Sequence, residues 1–454
     1  MPSVCKVLSE FVASFNFNNI PADVVQKAKM CILDTLGVAL LGSTTEAARI
    51  LNKVIKSLKL PPESTVIGAN YKTSYLHAAY ANCMEAAYLE LDDGHRHAGI
   101  HPGCIMIPTA LATGEYTNAS GKEILEAIIL GYEVAIRVGL ATGMAQFRRR
   151  IDPPATCGIF GAAATAGKLM KLNEDELANA LAIAGTQSPL SPSIWYYEPS
   201  LTKSLPFAQA CYAGIFSALL AKEGFRGPLG IFEGKGGFCE TICLPEKYWL
   251  DKITYKLGEV WEIRNVYFKF YPSCRWTHSA IDAALEIRKK YGVKSQDIME
   301  IIIKTYSTAA QLITVEPLDD TTARLSIPYT TAVAIIYGDV DVDHFNLATL
   351  QNPQVLELAR KVKVIDEPTF KDLYPEKRPT TVIVRLKDGS ELSSYVEYPF
   401  GEPENPPTNE QIQKKFIKLA VKVVGYEKAI EILETVKKIE TLRSIDSLTT
   451  LLSL

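Results

Sequence analysis

Residues 124–138 read ILEAIILGYEVAIRV, a run apolar on nearly every side of a helix, which calls for a position enclosed by other elements. The neighbouring chain has the same character. A helix begins at Pro21-Ala22-Asp23, with apolar Val24, Val25, Ala28, Ile32, Leu33 and Leu36 at three- and four-residue steps and an expected end near Gly37. Residues 155–169, ATCGIFGAAATAGKL, are rich in Gly and Ala, so a helix made from them lets neighbouring backbones approach closely. They are not a phosphate loop, because five residues rather than four separate Gly161 from Gly167-Lys168, and Leu169 stands where a magnesium-binding hydroxyl belongs.

After about residue 265 the pattern changes. Residues 299–306 (MEIIIKTY) and 381–398 (TVIVRLKDGSELSSYVEY) are β-like, the second with Asp388-Gly389 at a hairpin turn. Helical segments at 279–290 and 327–337 lie between them. The stretch GEPENPP at 401–407 continues neither helix nor strand and precedes a helical tail from about Asn409. The expected fold is mainly α: a helical domain over 1–265, a smaller α+β domain over 266–402, and a tail over 403–454 that packs back on the helical domain. A chain of 454 residues suits two domains.

Composition narrows the partner. With 47% hydrophobic and 22% charged residues and a net charge of −3, the chain is ordinary globular material without a large basic field. Nucleic acid and membrane are poor partners, and a small molecule is the default. Nine cysteines without any C-x-x-C indicate neither a disulfide framework nor a zinc finger. The first residues lack a secretory pattern and no apolar run reaches 18 residues, so a cytoplasmic location is expected.

Three regions carry chemistry. Residues 90–108, ELDDGHRHAGIHPGCIMIP, hold three of the six histidines directly behind Glu90, Asp92 and Asp93. His95 and His97 beside carboxylates suit a metal in principle, but no partner ligand motif occurs elsewhere, so acid/base catalysis is the stronger reading. His101 leads this group because Pro102-Gly103 fixes it at the start of the next helix. Residues 269–278, KFYPSCRWTH, fall at the domain junction, where Lys269 and Arg275 are placed to hold a carboxylate and His278 to present an imidazole. Thr202-Lys203 precedes an Ala-rich helix and is the third region.

LELDDGHRHAGIHPG, DPPATCGIFGAAATAGKL, SLTKSLPFAQACYAGIFSALLAKEGF and KFYPSCRWTHSAIDAA resemble, in that order, the signature blocks of the MmgE/PrpD family. The resemblance runs over nearly the whole chain, through the weaker SIPYTTAVAIIYGDV and the late hairpin. It implies a large helical domain formed by both chain ends with an inserted α+β lid, a homodimer, and no metal or organic cofactor. Activities in the family include 2-methylcitrate dehydration, cis-aconitate decarboxylation and iminodisuccinate epimerisation. Carried over block by block, the resemblance makes His101, Lys203 and His278 the catalytic residues; a lysine desolvated or flanked by another cation suits the base, with His278 or His101 as acid. Glu90 falls where the family carries an acidic residue, and with Asp93, His95, Lys269 and Arg275 it is expected to bind the substrate.

This chain also departs from the family pattern. Gly94 stands where a Thr or Ser hydroxyl is common, the spacing from Asp93 to His101 is one residue longer than in the decarboxylases, and Asp152-Pro153 replaces a His-Pro pair. The expected function is a lyase acting on a di- or tricarboxylate by proton abstraction next to a carboxylate, most like 2-methylcitrate dehydratase. A decarboxylase, an epimerase and a non-catalytic carboxylate-binding protein are the alternatives.

Overall fold

The run at 124–138 lies inside the 28-residue helix Gly121–Arg148 of the computed structural model, which describes residues 2–196 and 198–454. Ser120 starts this helix with a capping box, its side chain accepting from the Glu123 amide while Glu123 reaches back to the Ser120 amide. Ile124, Leu125, Ile128, Ile129, Tyr132, Val134, Ile136 and Val138 are all buried. Against it packs the Gly/Ala-rich helix Pro153–Leu169. A Cβ at Gly161 would sit 2.6 Å from the Gly131 carbonyl oxygen, so the two backbones meet only because glycine stands there.

Helix Ala22–Gly42 runs five residues beyond Gly37. Gly37 is a packing residue rather than a stop, since its missing Cβ would lie 3.2 Å from the Phe416 Cα on helix Asn409–Val424. Lys415 on that helix donates to buried Asp34 at 2.6 Å. The first hydrophobic core accordingly joins residues between Cys5 and Phe268 with residues between Ile412 and Leu452.

A second core runs from Cys274 to Val384. Its four-stranded mixed sheet has Ile298–Thr305 and Thr380–Leu386 at the centre, Val362–Asp366 parallel to the former, and Glu391–Val396 antiparallel to the latter. Ile301 opposite Val384 and Ile303 opposite Val382 turn their side chains onto helices His278–Tyr291 and Ile327–Tyr337. The hairpin turn is at Asp388-Gly389, with Gly389 at φ +88°. Val362–Asp366 is not anticipated from sequence: of its five residues only Val362 is buried, and charged Arg360-Lys361 precede it.

The two passages of chain between the cores lie side by side. Phe268 donates to the Gly401 carbonyl at 3.0 Å, and the Phe270 and Phe400 rings are 4.6 Å apart. Gly401, at φ +98°, has no room for a Cβ against the Phe268 carbonyl. Among the described residues no helix is long and apolar enough to cross a membrane.

Candidate functional site

A two-residue antiparallel pairing, Gly94–His95 with Val266–Tyr267, joins the first and last chemical blocks of the sequence. It fixes Glu90 and Asp92 on one side of the pairing and Lys269 on the other. Lys269, fully buried, places Nζ 2.9 Å from Glu90 Oε2 and 3.5 Å from Asp92 Oδ1. The second Asp92 oxygen is 3.0 Å from His101 Nδ1, which is also 2.9 Å from the Asp93 carbonyl. Two acceptors on Nδ1 fix the proton there and leave Nε2 for the cavity. Although burial opposes it, Lys269 and His101 together hold Asp92 below the usual carboxylate range.

Lys203 contacts the other oxygen of Glu90. Glu90 thus stands between two lysine side chains, on a backbone at φ +54°. Burial and the Lys269 charge push Lys203 well below the usual lysine value, with Cys274 acting in the opposite direction.

These groups border an inner cavity of about 50 Å³ lined also by His95, Arg96, His101, Asp152, Tyr267, Cys274, Arg275 and Arg378. An outer cavity of about 370 Å³ adjoins it and shares Phe147, Asp152, Trp276, Leu325 and Tyr374. Phe147 belongs to the helical region and Trp276 to the opposite side, with ring centroids 6.2 Å apart. Among the described residues no three His, Cys, Asp or Glu side chains are grouped to hold a metal ion.

Of the residues named from sequence, Lys203, His101, Glu90, His95 and Arg275 line the inner cavity. Lys269 lies directly behind Glu90. Asp93 is turned away from the cavity: it accepts from the Gly103 amide and the Tyr132 hydroxyl, both at 2.8 Å, and so holds the segment that carries His101. His278 is fully buried, and both its ring nitrogens are engaged. Nδ1 lies 3.0 Å from Arg275 Nη1 and Nε2 3.2 Å from the Ser273 carbonyl, which sets Nε2 as the protonated nitrogen. Burial and the Arg275 charge push His278 well below the usual histidine value, so it is neutral. It reaches the cavity through Arg275.

Sequence reading misses the anchor of that arginine. Glu402, fully buried, receives Arg275 Nε at 3.0 Å, Arg378 Nε at 3.0 Å and Arg96 Nη1 at 3.1 Å. Burial opposes ionisation, but the three guanidinium groups hold Glu402 below its ordinary value. Arg96 also donates to Glu404 at 2.6 Å, so two carboxylates face three guanidinium groups and the cluster keeps an excess of one positive charge. Glu402 lies in the GEPENPP stretch, whose prolines and glycine signal only a break in secondary structure.

The departure at Gly94 has a steric cause. A Cβ there would overlap the Tyr267 hydroxyl, the residue directly opposite in the pairing. Asp152 also differs from an ordinary helix cap. It occupies the N-cap of Pro153–Leu169 but makes no side-chain cap bond, and its Oδ2 is buried without a hydrogen-bond partner among the described residues.

The chain is similar to known proteins over nearly its whole length. The chain is 27% identical over 468 residues to cis-aconitate decarboxylase of Homo sapiens, covering 100% of this chain and 95% of that one. It is 27% identical over 448 residues to a cis-aconitate decarboxylase-like protein of Aspergillus oryzae, covering 94% and 92% of the two chains. A probable 2-methylcitrate dehydratase of Saccharomyces cerevisiae is 23% identical over 434 residues, covering 88% and 82%. The profile of the MmgE/PrpD N-terminal domain matches residues 6–250 and that of the MmgE/PrpD C-terminal domain residues 271–441, so the chain belongs to the MmgE/PrpD family.

Proposed function

We propose that this protein is a hydro-lyase for a hydroxy di- or tricarboxylate of the 2-methylcitrate type, working without a metal or organic cofactor. The observation that carries this reading is the chain Lys203–Glu90–Lys269–Asp92–His101 at the floor of a cavity walled by Arg96, Arg275 and Arg378. The arginine wall suits the substrate's carboxylates. A buried lysine with a depressed pKa is a base able to take the proton from the carbon beside a carboxylate, and the adjacent cations stabilise the enolate-like charge that results. His101, with Nε2 facing the cavity and Nδ1 held by Asp92, exchanges protons with the reacting centre. Arg275, held by His278 and Glu402, orients a distal carboxylate. The lobe built on the second core acts as a lid over these groups, with Trp276, Leu325 and Tyr374 closing against Phe147 to exclude water.

Two carboxyl groups, Glu90 and Asp152, line the same inner cavity. Asp152, raised to about 7 by burial, can hold a proton there and give it to a departing hydroxyl, a group that an unsaturated tricarboxylate lacks. This favours dehydration. Decarboxylation of an unsaturated tricarboxylate is the second reading, favoured by the likeness to the human and Aspergillus proteins. Proton NMR of chelator-treated protein in deuterated water separates them: an alkene signal from 2-methylcitrate or citrate supports the hydro-lyase, and loss of a carboxylate from cis-aconitate alone replaces it with the decarboxylase.

A further inference from the structure

Asp152 is 3% exposed, lies at the junction of the inner and outer cavities, and leaves Oδ2 without a partner among the described residues. With Pro153 and Pro154 opening the helix, the Ala155 amide is the one N–H among its first three residues to which an N-cap aspartate could turn its carboxylate. Asp152 makes no such bond, although its backbone amide is anchored to the Ser191 carbonyl at 2.8 Å and its position is therefore fixed. A buried carboxyl oxygen without a partner is costly unless it is protonated or meets a donor from a ligand. We propose that Asp152 is the acid that protonates the departing hydroxyl of the substrate, the step that separates a hydro-lyase from a decarboxylase at this site. The assignment rests on the hydro-lyase reading above.

The step balances without a further reactant. The Lys203 amine takes the proton from the carbon beside the carboxylate, and the C–H electron pair becomes the new C=C bond. The C–O bond on the neighbouring carbon breaks, and the oxygen leaves as water with the Asp152 proton. Lys203 remains as ammonium and Asp152 as carboxylate. Loss of the lysine proton to solvent and return of one to Asp152 complete the cycle.

The charges around Asp152 suit an acid that reloads near neutrality. Burial pushes its carboxyl up to about 7, with the Asp92 charge acting in the same direction and those of His101 and Lys269 opposing it. Arg148 and Arg150 line the outer cavity that Asp152 also borders, and the N-terminus of Pro153–Leu169 adds a positive dipole.

The test uses the full-length protein and its Asp152→Asn variant with 2-methylcitrate and citrate, followed by NMR in deuterated water from pH 5 to pH 9. Asp152→Asn is expected to lose about 10²–10⁴-fold in kcat for water loss with KM little changed, the range for removing a positioned proton donor. It should still wash deuterium into the carbon beside the carboxylate, because Lys203 remains, and that exchange also reports a folded site. The wild-type loss of kcat as pH rises through about 7 should be absent from the variant. If the wild type dehydrates both acids and the variant does so within about threefold, or if exchange and water loss fall in parallel, the assignment of Asp152 is overturned and the hydro-lyase reading stands. If the wild type removes water from neither acid, both are overturned.

Discussion

Lys269 Nζ lies 2.9 Å from Glu90 Oε2 in a site where both side chains are buried, so the charge of one is balanced only by the other and its immediate neighbours. Removing the lysine leaves Glu90 and Asp92 as buried anions with one cation fewer. Lys269→Met is expected to destabilise the fold by about 3–5 kcal/mol, the range for breaking a buried pair. Urea unfolding of the two proteins checks this, and an unchanged midpoint would mean that the pair is solvated.

His278 touches the cavity only through the 3.0 Å contact of its Nδ1 with Arg275. His278→Gln is therefore expected to raise KM by up to about tenfold, the worth of one hydrogen bond to a charged group, with kcat nearly unchanged. A kcat loss of about 100-fold or more at constant KM would instead make His278 the proton donor.

Asp152 contributes a pH-dependent penalty to the fold. Its carboxyl is raised from 3.8 to about 7 in the native state, so the native state binds the extra proton between those values and stability falls as pH rises from about 4 through 7. Asp152→Asn removes the group that must ionise. The variant should exceed the wild type in stability at pH 8 by a margin on the order of a few kcal/mol, shrinking towards pH 4, as read by urea midpoints across that range.

Gly94 and the Tyr267 hydroxyl compete for one space. Gly94→Ser is expected to cost about 1–3 kcal/mol by overpacking, and Tyr267→Ala in the same chain should recover part of that cost. Additive effects in a double-mutant cycle would show that the two positions do not share the space.

Much of the helical fold is legible from periodicity, because the 3.6-residue pattern and the caps act within one element. Residues 124–138, 279–290 and 327–337 fall within observed helices, and the tail from Asn409 is helical over most of its length. Gly37 misleads because a glycine needed for contact with Phe416 looks the same in sequence as one that ends a helix. The local chemical blocks are legible for a similar reason, since Glu90, Asp92 and His101 sit within twelve residues of one another. The arginine cluster is not. Arg96 and Glu402 are 306 residues apart in the chain, and nothing in GEPENPP marks its first glutamate as buried. Sequence likewise names Asp93 and His278 as reactive types without showing that one faces Tyr132 and the other Ser273.

The central claim is that Lys203 abstracts a proton from the carbon next to a substrate carboxylate. Deuterium wash-in, with product formation from 2-methylcitrate, compared between wild type and Lys203→Ala in chelator-treated protein, tests it most directly. The account predicts exchange and a new alkene signal with the wild type, and loss of both with a Lys203→Ala variant whose unfolding midpoint remains cooperative. Retention of exchange by Lys203→Ala within about threefold of the wild type would contradict it, because another group would then be taking the proton.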